Sequence, residues 1–495
     1  MKKIYFLFIV ICTAAVFSAA SCGESLSEAP SEPDEKSESS KDSAGDSQDI
    51  SVGDELPDFK FNGAEIKILS NTDISVIHSD LVLDHMTGDR VNDAVFAVNA
   101  EVEERFDVKF KQLECGYTQA ENMLKKTVKS GDNAYDIVMI TDRYAVSLAS
   151  DGKYFYYVDE LPYVNLDKPY WDKSLNECVS IKGKNYYALG ACMLSIYDLT
   201  GFLVFNKSMH ENSGLDSVYN LVKDGKWTFD KFMDMSRVVT GDLNGDGEAT
   251  EEDRFGIITH SGFTYPSFWC VNRAFLVDKD DGDIPYFNVP GNEKLFGIFD
   301  KLYELVTSGY EYSITRTPIK NGKNDQFDTL KMFEGGHGLF ASASAFTAQS
   351  LNNMDTDFGI APYPTINEKL PGEPYLSRLS YSMPFVVPST ADPEQSSVIL
   401  EALCCAYYKS VIPEFRDITI KIKVVRDEES SEILEMLFAN RVIDMGDSIW
   451  YADMRQKYEV MFTNKDNTFQ AMTEKIQSKA EKLISQAIDS IDNAG

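Results

Sequence analysis

Apolar and polar side chains recur along this chain in two alternating periods. Over 64–70 they alternate one by one in Glu65-Ile66-Lys67-Ile68-Leu69, the period of two that a strand requires. Over 92–106 the period lengthens: Ala94, Val95, Val98, Val102 and Phe106 recur at helical spacing, with Asn92 or Asp93 as N-cap. A short strand at Val108-Lys109-Phe110 and an amphipathic helix over 118–130 follow. Asp136-Ile137-Val138-Met139-Ile140 then reads as a strand of a parallel sheet covered on both faces. Strand, helix, strand, helix, strand predicts an α/β layer, and such sheets bind ligands beyond the carboxyl ends of their strands. Those ends are Ser70-Asn71 and Thr141-Asp142-Arg143. Further on, the pattern predicts a hairpin over 179–189, strands at 201–205, 255–259 and 358–361, and helices at 230–239, 293–309, 396–408 and 472–491. Repeats of solenoid or propeller length are absent.

The first 22 residues follow neither period. Met1-Lys2-Lys3 precedes an apolar run over 4–17 and the small residues Ser18-Ala19-Ala20-Ser21, a secretory signal pattern. The run of about 14 apolar residues falls short of the ~20 that span a bilayer. Cys22 stands directly after the cleavage point, as in the lipobox of bacterial lipoproteins, although Ala19 occupies a position where that motif usually has Leu. The expected product carries lipid on Cys22 and sits on the outer face of a cell membrane of Gram-positive type, with 1–21 removed. Ser, Glu, Asp, Ala and Pro dominate 22–58, too polar to order itself, so this stretch is read as a disordered acidic tether.

The 495 residues exceed what one core usually holds, which predicts two lobes. A net charge of −32 argues against nucleic acid and anionic lipid surfaces as partners. Of the eight cysteines none shows zinc-site spacing; Cys404 and Cys405 lie in an apolar run, and a Cys178–Cys192 bridge is one pairing that export permits.

Several segments together carry a resemblance. Asn92-Asp93-Ala94 leads to Glu104-Arg105-Phe106, and Tyr135 to Tyr144 forms the strand and turn described above. Asn206-Lys207, Met332-Phe333-Glu334-Gly335-Gly336, Phe358-Gly359-Ile360-Ala361-Pro362-Tyr363-Pro364 and Ser448-Ile449-Trp450-Tyr451-Ala452 follow in order. The chain resembles the extracellular solute-binding lipoproteins of bacterial ABC importers, in the branch that mostly carries sugars, distantly like maltose-binding protein. The resemblance implies a type II two-lobed α/β fold, a hinge of crossing strands, and a monomer that delivers a carbohydrate, an oligosaccharide by expectation, to ABC permease subunits. Lobe 1 is expected over 59–197 and 358–411, lobe 2 over 198–357 and 412–495, with crossings near 197–200, 356–360 and 409–413.

A sugar needs aromatic planes for its ring faces and carboxylates, amides or Arg for its hydroxyls. The resemblance places Asp142 and Arg143 at the ligand; a solvent-exposed ion pair opening the next helix is the alternative. Asp198 falls near a ligand acid of the family or caps the hinge backbone. Within His260 to Trp269, Gly262 stands where the family offers a stacking Tyr, which passes that role to Tyr265 or Trp269 unless these rings pack in the core. Trp450 and Tyr451 are the leading aromatic candidates, with interlobe packing as the alternative for Trp450, and Arg378 completes a polar wall or belongs to an ordinary loop. Ser380, Tyr381, Ser70 and Asn71 are secondary candidates.

Independently, 242–253 fits an EF-hand loop, with Asp242, Asn244, Asp246, Glu248 and Asp253 as ligands and Gly247 at the sharp turn. Asp253 replaces the usual Glu at the last position, and no helix follows, so a structural Ca²⁺ is the expectation. No H-E-x-x-H or G-x-S-x-G motif is present. A binding protein rather than an enzyme is therefore expected, with a secreted glycoside hydrolase or a surface adhesin as alternatives.

Overall fold

The computed structural model describes residues 52–71, 73–78, 81–417 and 427–493. The signal, Cys22 and the tether up to 51 lie outside the described residues.

The strands are β1 (Ala64–Asn71), β2 (Val108–Cys115), β3 (Ile137–Met139), β4 (Phe155–Tyr156), β5 (Gly201–Asn206), β6 (Phe255–Thr259), β7 (Val277–Lys279), β8 (Pro285–Phe287), β9 (Glu311–Ser313), β10 (Gly338–Ser344), β11 (Phe358–Ala361), β12 (Ser377–Arg378), β13 (Phe385–Pro388) and β14 (Arg441–Val442). Two five-stranded sheets, one per lobe, share a single plan. The first runs β2-β1-β3-β13-β4 and the second, in the same sense, β9-β6-β10-β5-β11. In each, three strands are parallel, a fourth lies antiparallel against them, and a fifth closes the edge antiparallel to the fourth. That fourth strand, β13 or β5, follows in sequence a strand of the opposite lobe, so the chain enters each sheet by crossing over. Thr200 bridges Leu379 antiparallel, and β12 pairs with β14 in parallel, so the crossing segments run side by side.

Apolar content sets these elements. The second sheet's strands β5, β6, β10 and β11 are buried almost throughout, as strands covered by helices on both faces must be. Helix Arg90–Phe106 turns Val91, Val95, Val98, Val102 and Phe106 inward. Its N-cap is Asp89, not Asn92 or Asp93: Asp89 accepts the Val91 and Asn92 N–H groups, while Asp93 reaches back to the N–H groups of Thr87 and Gly88.

The lobe boundaries differ from the sequence expectation in four places. Strand β11 pairs with β5, which puts 358–361 in the second lobe because its buried Phe358, Ile360 and Ala361 complete that sheet's edge. The crossing follows at 377–379. Helix Ile412–Arg416 packs on Arg90–Phe106, with Arg90 paired to Glu414 at 2.5 Å, and so belongs to the first lobe. The end of the tether is also part of the body: Asp54 accepts Arg105 Nη2 at 2.9 Å, and Val52 and Leu56 pack on the core. Finally, helix Phe469–Asp492, about 36 Å long at 1.5 Å per residue, serves both lobes. Phe469 stacks near Phe299 and Phe462 in the second lobe, whereas Ser490 bonds Tyr186 at 2.5 Å and Asp492 pairs with Lys182 at 2.6 Å in the first.

The predicted hairpin over 179–189 is reduced to a tight turn, Ile181 bridging Lys184 around Gly183 at φ 72°. Residues up to Val179 continue as helix instead.

Candidate functional site

The candidate site lies beyond the carboxyl end of β3, where the first turn of the following helix meets the segment 448–453. Strand β3 leads through Ile140 and Thr141 directly into helix Asp142–Asp151, which places Asp142 and Arg143 on its first turn. Asp142 is fully buried and its carboxylate saturated. Oδ1 accepts the Arg143 N–H at 2.7 Å; Oδ2 accepts the Ser382 N–H at 2.9 Å, the Ser382 hydroxyl at 3.1 Å and the Ser448 hydroxyl. Burial pushes its pKa upward, opposed by Arg143 and these donors. Ser448 comes from the second lobe, since Asp444 just before it accepts the N–H groups of Leu276 and Val277 at 2.7 and 3.2 Å. One carboxylate thus fastens the two lobes together.

Arg143 makes the second link. Its guanidinium stacks on the Tyr451 ring at 4.1 Å, with Tyr381 and Tyr117 at 5.7 and 5.8 Å. Such contacts contribute about 0.5–2 kcal/mol each, more as water is excluded. Tyr451 also faces Arg455 at 5.2 Å, so one phenol ring meets two guanidiniums. Arg143, Tyr144, Trp450 and Tyr451 line a cavity of about 430 Å³, with Leu483 and Gln486 of the long C-terminal helix on its wall. That volume lies within the range of ordinary ligand pockets.

Behind this wall lies an ion-pair cluster. Arg378 grips Asp447 with two bonds, 2.5 and 2.8 Å, and donates to the carbonyls of Phe263 and Gly262 at 3.1 and 3.3 Å. Arg455 donates to the Gly262 carbonyl at 2.7 Å and lies 3.3 Å from Asp447 and 3.5 Å from Glu459. Burial holds Arg455 below its ordinary pKa, with Arg378 and Arg143 adding repulsion and Asp447 and Glu459 opposing it.

The structure gathers Asp142, Arg143, Trp450 and Tyr451 and sends the other candidates elsewhere. Residues 261–271 form a helix, not a loop, with Pro266 inside it. Tyr265 is fully buried and donates to Glu311 at 2.6 Å; Trp269 packs against Phe299 and Phe462. Both rings are core of the second lobe, because a helix apolar on all sides has no solvent face. Asp198 is fully buried at the first crossing and accepts the backbone N–H of His78 at 2.7 Å, with His78 Nδ1 at 2.8 Å from its other oxygen. It stands in the crossing segment and outside the cavity lining. Arg378 supports the wall without reaching the cavity. Asn71 donates to the Met139 carbonyl within the sheet.

Tyr117, Ser382, Asp447, Ser448 and Arg455 are additions. Tyr117 follows the end of β2 and was open to the same strand-end rule that marks Asp142. The others come together only through the crossing segments.

In the acidic loop Asp242 accepts the N–H groups of Gly245 and Gly247 at 2.6 and 2.9 Å, with Gly247 at φ 77°. The turn therefore has the shape the motif requires. Asp253 instead turns both oxygens onto the N–H groups of Leu243 and Thr250, and among the described residues no three His, Cys, Asp or Glu side chains converge as a metal cage.

Comparison with known proteins bears on the fold and the family. A search of curated proteins finds no match by sequence. Among solved structures, the chain is similar to the sugar-binding protein MalE of Xanthomonas citri, with TM-score 0.58 and 12% identity over 87% of this chain and 100% of that one. It is similar to a Rhizobium etli sugar transporter in an open conformation, TM-score 0.55 and 14% identity over 87% and 99%. It is also similar to Mycobacterium tuberculosis UgpB in complex with glycerophosphocholine, TM-score 0.54 and 14% identity over 83% and 99%. At these identities the likeness shows the fold, a two-lobed type II binding-protein fold. The family model for bacterial extracellular solute-binding protein matches residues 97–396. The chain belongs to the bacterial extracellular solute-binding proteins.

Proposed function

We propose that this protein captures a carbohydrate, an oligosaccharide by preference, between its lobes and presents it to the transmembrane subunits of an ABC permease. The observation that carries this reading is the stacking of Arg143, from the first lobe, on Tyr451, from the second, in one cavity that also holds Trp450. Aromatic faces beside a guanidinium match the two surfaces of a sugar, its ring face and its hydroxyl rim. Ligand contacts made by both lobes favour closure, which the permease then reads. The similar proteins named for sugars support the ligand class, while UgpB keeps polar phosphodiesters in view.

Lipid on Cys22 would keep the cleft near its permease. Structural Ca²⁺ in the loop 242–253 is part of the same proposal, supported by the motif and by the Gly247 turn.

Calorimetric titration against a panel of oligosaccharides tests the reading. Saturable one-site heat without release of reducing ends is expected. Release of reducing ends would replace it with the hydrolase alternative, and an absence of heat with every sugar would remove the carbohydrate.

A further inference from the structure

Six cysteines lie among the described residues, and the fold sorts them. Cys115 faces Asn71, Cys270 faces Asp447, and Cys405 faces the Val52 carbonyl. Cys178 lines a surface pocket beside Arg441 and Ile443. Cys192 and Cys404 face each other: their sulfurs are 2.7 Å apart across 212 residues of sequence, and both are buried. The pairing weighed from sequence, Cys178–Cys192, is therefore not the one the fold brings together.

The approach of these two sulfurs is built into the backbone. Cys192 follows Gly190, where a Cβ would stand 3.0 Å from Cys404 Sγ, 2.9 Å from the Tyr170 carbonyl and 2.6 Å from the Trp171 ring. Only a glycine lets the 190–192 segment press this closely on helix Pro393–Ala406, which carries Cys404. The contact lies at the root of the first crossing. Three residues past Cys192, Ser195 accepts the Met383 N–H at 3.3 Å, and Ile196 accepts Arg441 at 2.8 Å, so this segment meets all three crossing regions.

We propose that Cys192 and Cys404 form a disulfide in the exported protein. The two thiols lose two protons and two electrons as the Sγ–Sγ bond forms. A disulfide-bearing oxidant, a thiol–disulfide oxidoreductase outside the membrane or oxidised glutathione in vitro, accepts both electrons and is reduced to two thiols. The bond joins a segment before the first crossing to a helix after the second, a long loop of the kind whose closure restrains the unfolded chain most. Exchange requires a thiolate, and burial pushes the Cys404 thiol well above its usual range. Oxidation therefore precedes final packing, and the finished bond resists reductant while the lobe is folded.

The test uses the full chain, unfolded and refolded in a buffer of oxidised and reduced glutathione, then denatured and alkylated with or without prior reduction. Two fewer alkylated cysteines without reduction, with a linked peptide pair containing Cys192 and Cys404, are expected. Refolded wild type should also lose thermal stability on reduction in denaturant and refolding under reductant, while C192S/C404S shows no such difference and C405S behaves as wild type. Complete alkylation without reduction, or a linked pair containing Cys178, overturns the proposal. If C192S/C404S fails to fold, the peptide map of wild type decides alone.

Discussion

At Arg143 planarity matters as much as charge. A guanidinium over a phenol ring, as Arg143 is over Tyr451 at 4.1 Å, can lie flat on it, and an ammonium cannot. Arg143→Lys should therefore weaken ligand binding about tenfold, the loss of roughly 1.4 kcal/mol of contact, with a melting temperature close to wild type; calorimetry and a thermal melt check both halves. Asp444 makes a different statement. Burial and the nearby Asp447 push its pKa from 3.8 up to about 7. A carboxyl raised in this way holds a proton in the folded state that the unfolded chain has released. Its contribution is complete below the unfolded value and is lost as pH climbs through about 7. Stability should thus decline between about pH 4 and 7, and Asp444→Asn, which keeps one oxygen for the Val277 and Gly446 N–H groups and has no proton to lose, should flatten the decline in melts across that range. Sequence reaches this scale unevenly. Asp142 and Arg143 stand out because they directly follow an apolar strand, and Trp450-Tyr451 because two large rings sit among acids. Ser448 and Arg455 have no such signature; their roles depend on which strand of the other lobe they meet.

Whole elements are legible where the apolar residues form a clear period or an unbroken run. The strand at 255–259 and the helix ending at Val239 match their expected ends, since each carries a clear period or a clear run. Helix Ser261–Val271 is not legible, because Gly262 and Pro266 read as breakers and its burial on every side erases the period. Two elements approach closely at Gly256 of β6, where a Cβ would lie 2.1 Å from Ser236 Cβ and 2.5 Å from its Cα. Backbone, not a flexible tip, blocks the space. Gly256→Ala should prise helix Phe229–Val239 off the sheet and destabilise the fold by about 2–3 kcal/mol, read from urea unfolding. The acidic loop beside that helix is a separate case. If it holds Ca²⁺ as proposed, excess Ca²⁺ should raise the melting temperature, chelation should reverse the rise, and Asp242→Ala should abolish the response; equal melts with and without Ca²⁺ would remove the ion.

For the molecule as a whole, length foretells two lobes but not how sequence is divided between them. The expected boundary at 358 misplaces β11, because a four-residue apolar strand carries no mark of which sheet it joins. If ligand closes the lobes, small-angle scattering should show a smaller radius of gyration with a bound oligosaccharide than without it. The order of strands in the two sheets bears on how such a chain becomes a protein at all. The second sheet uses strands from one uninterrupted stretch, 201–361, whereas the first leaves a gap between β3 and β4 until β13, at 385–388, arrives. The helix serving both lobes comes later still. A chain emerging from its N-terminus would hold an incomplete first lobe, with the edge of β3 open to non-native pairing, until most of its length was out. A chain truncated after Thr200 should accordingly show no protease-resistant body, and the lobe synthesised first is the one that must wait longest to fold.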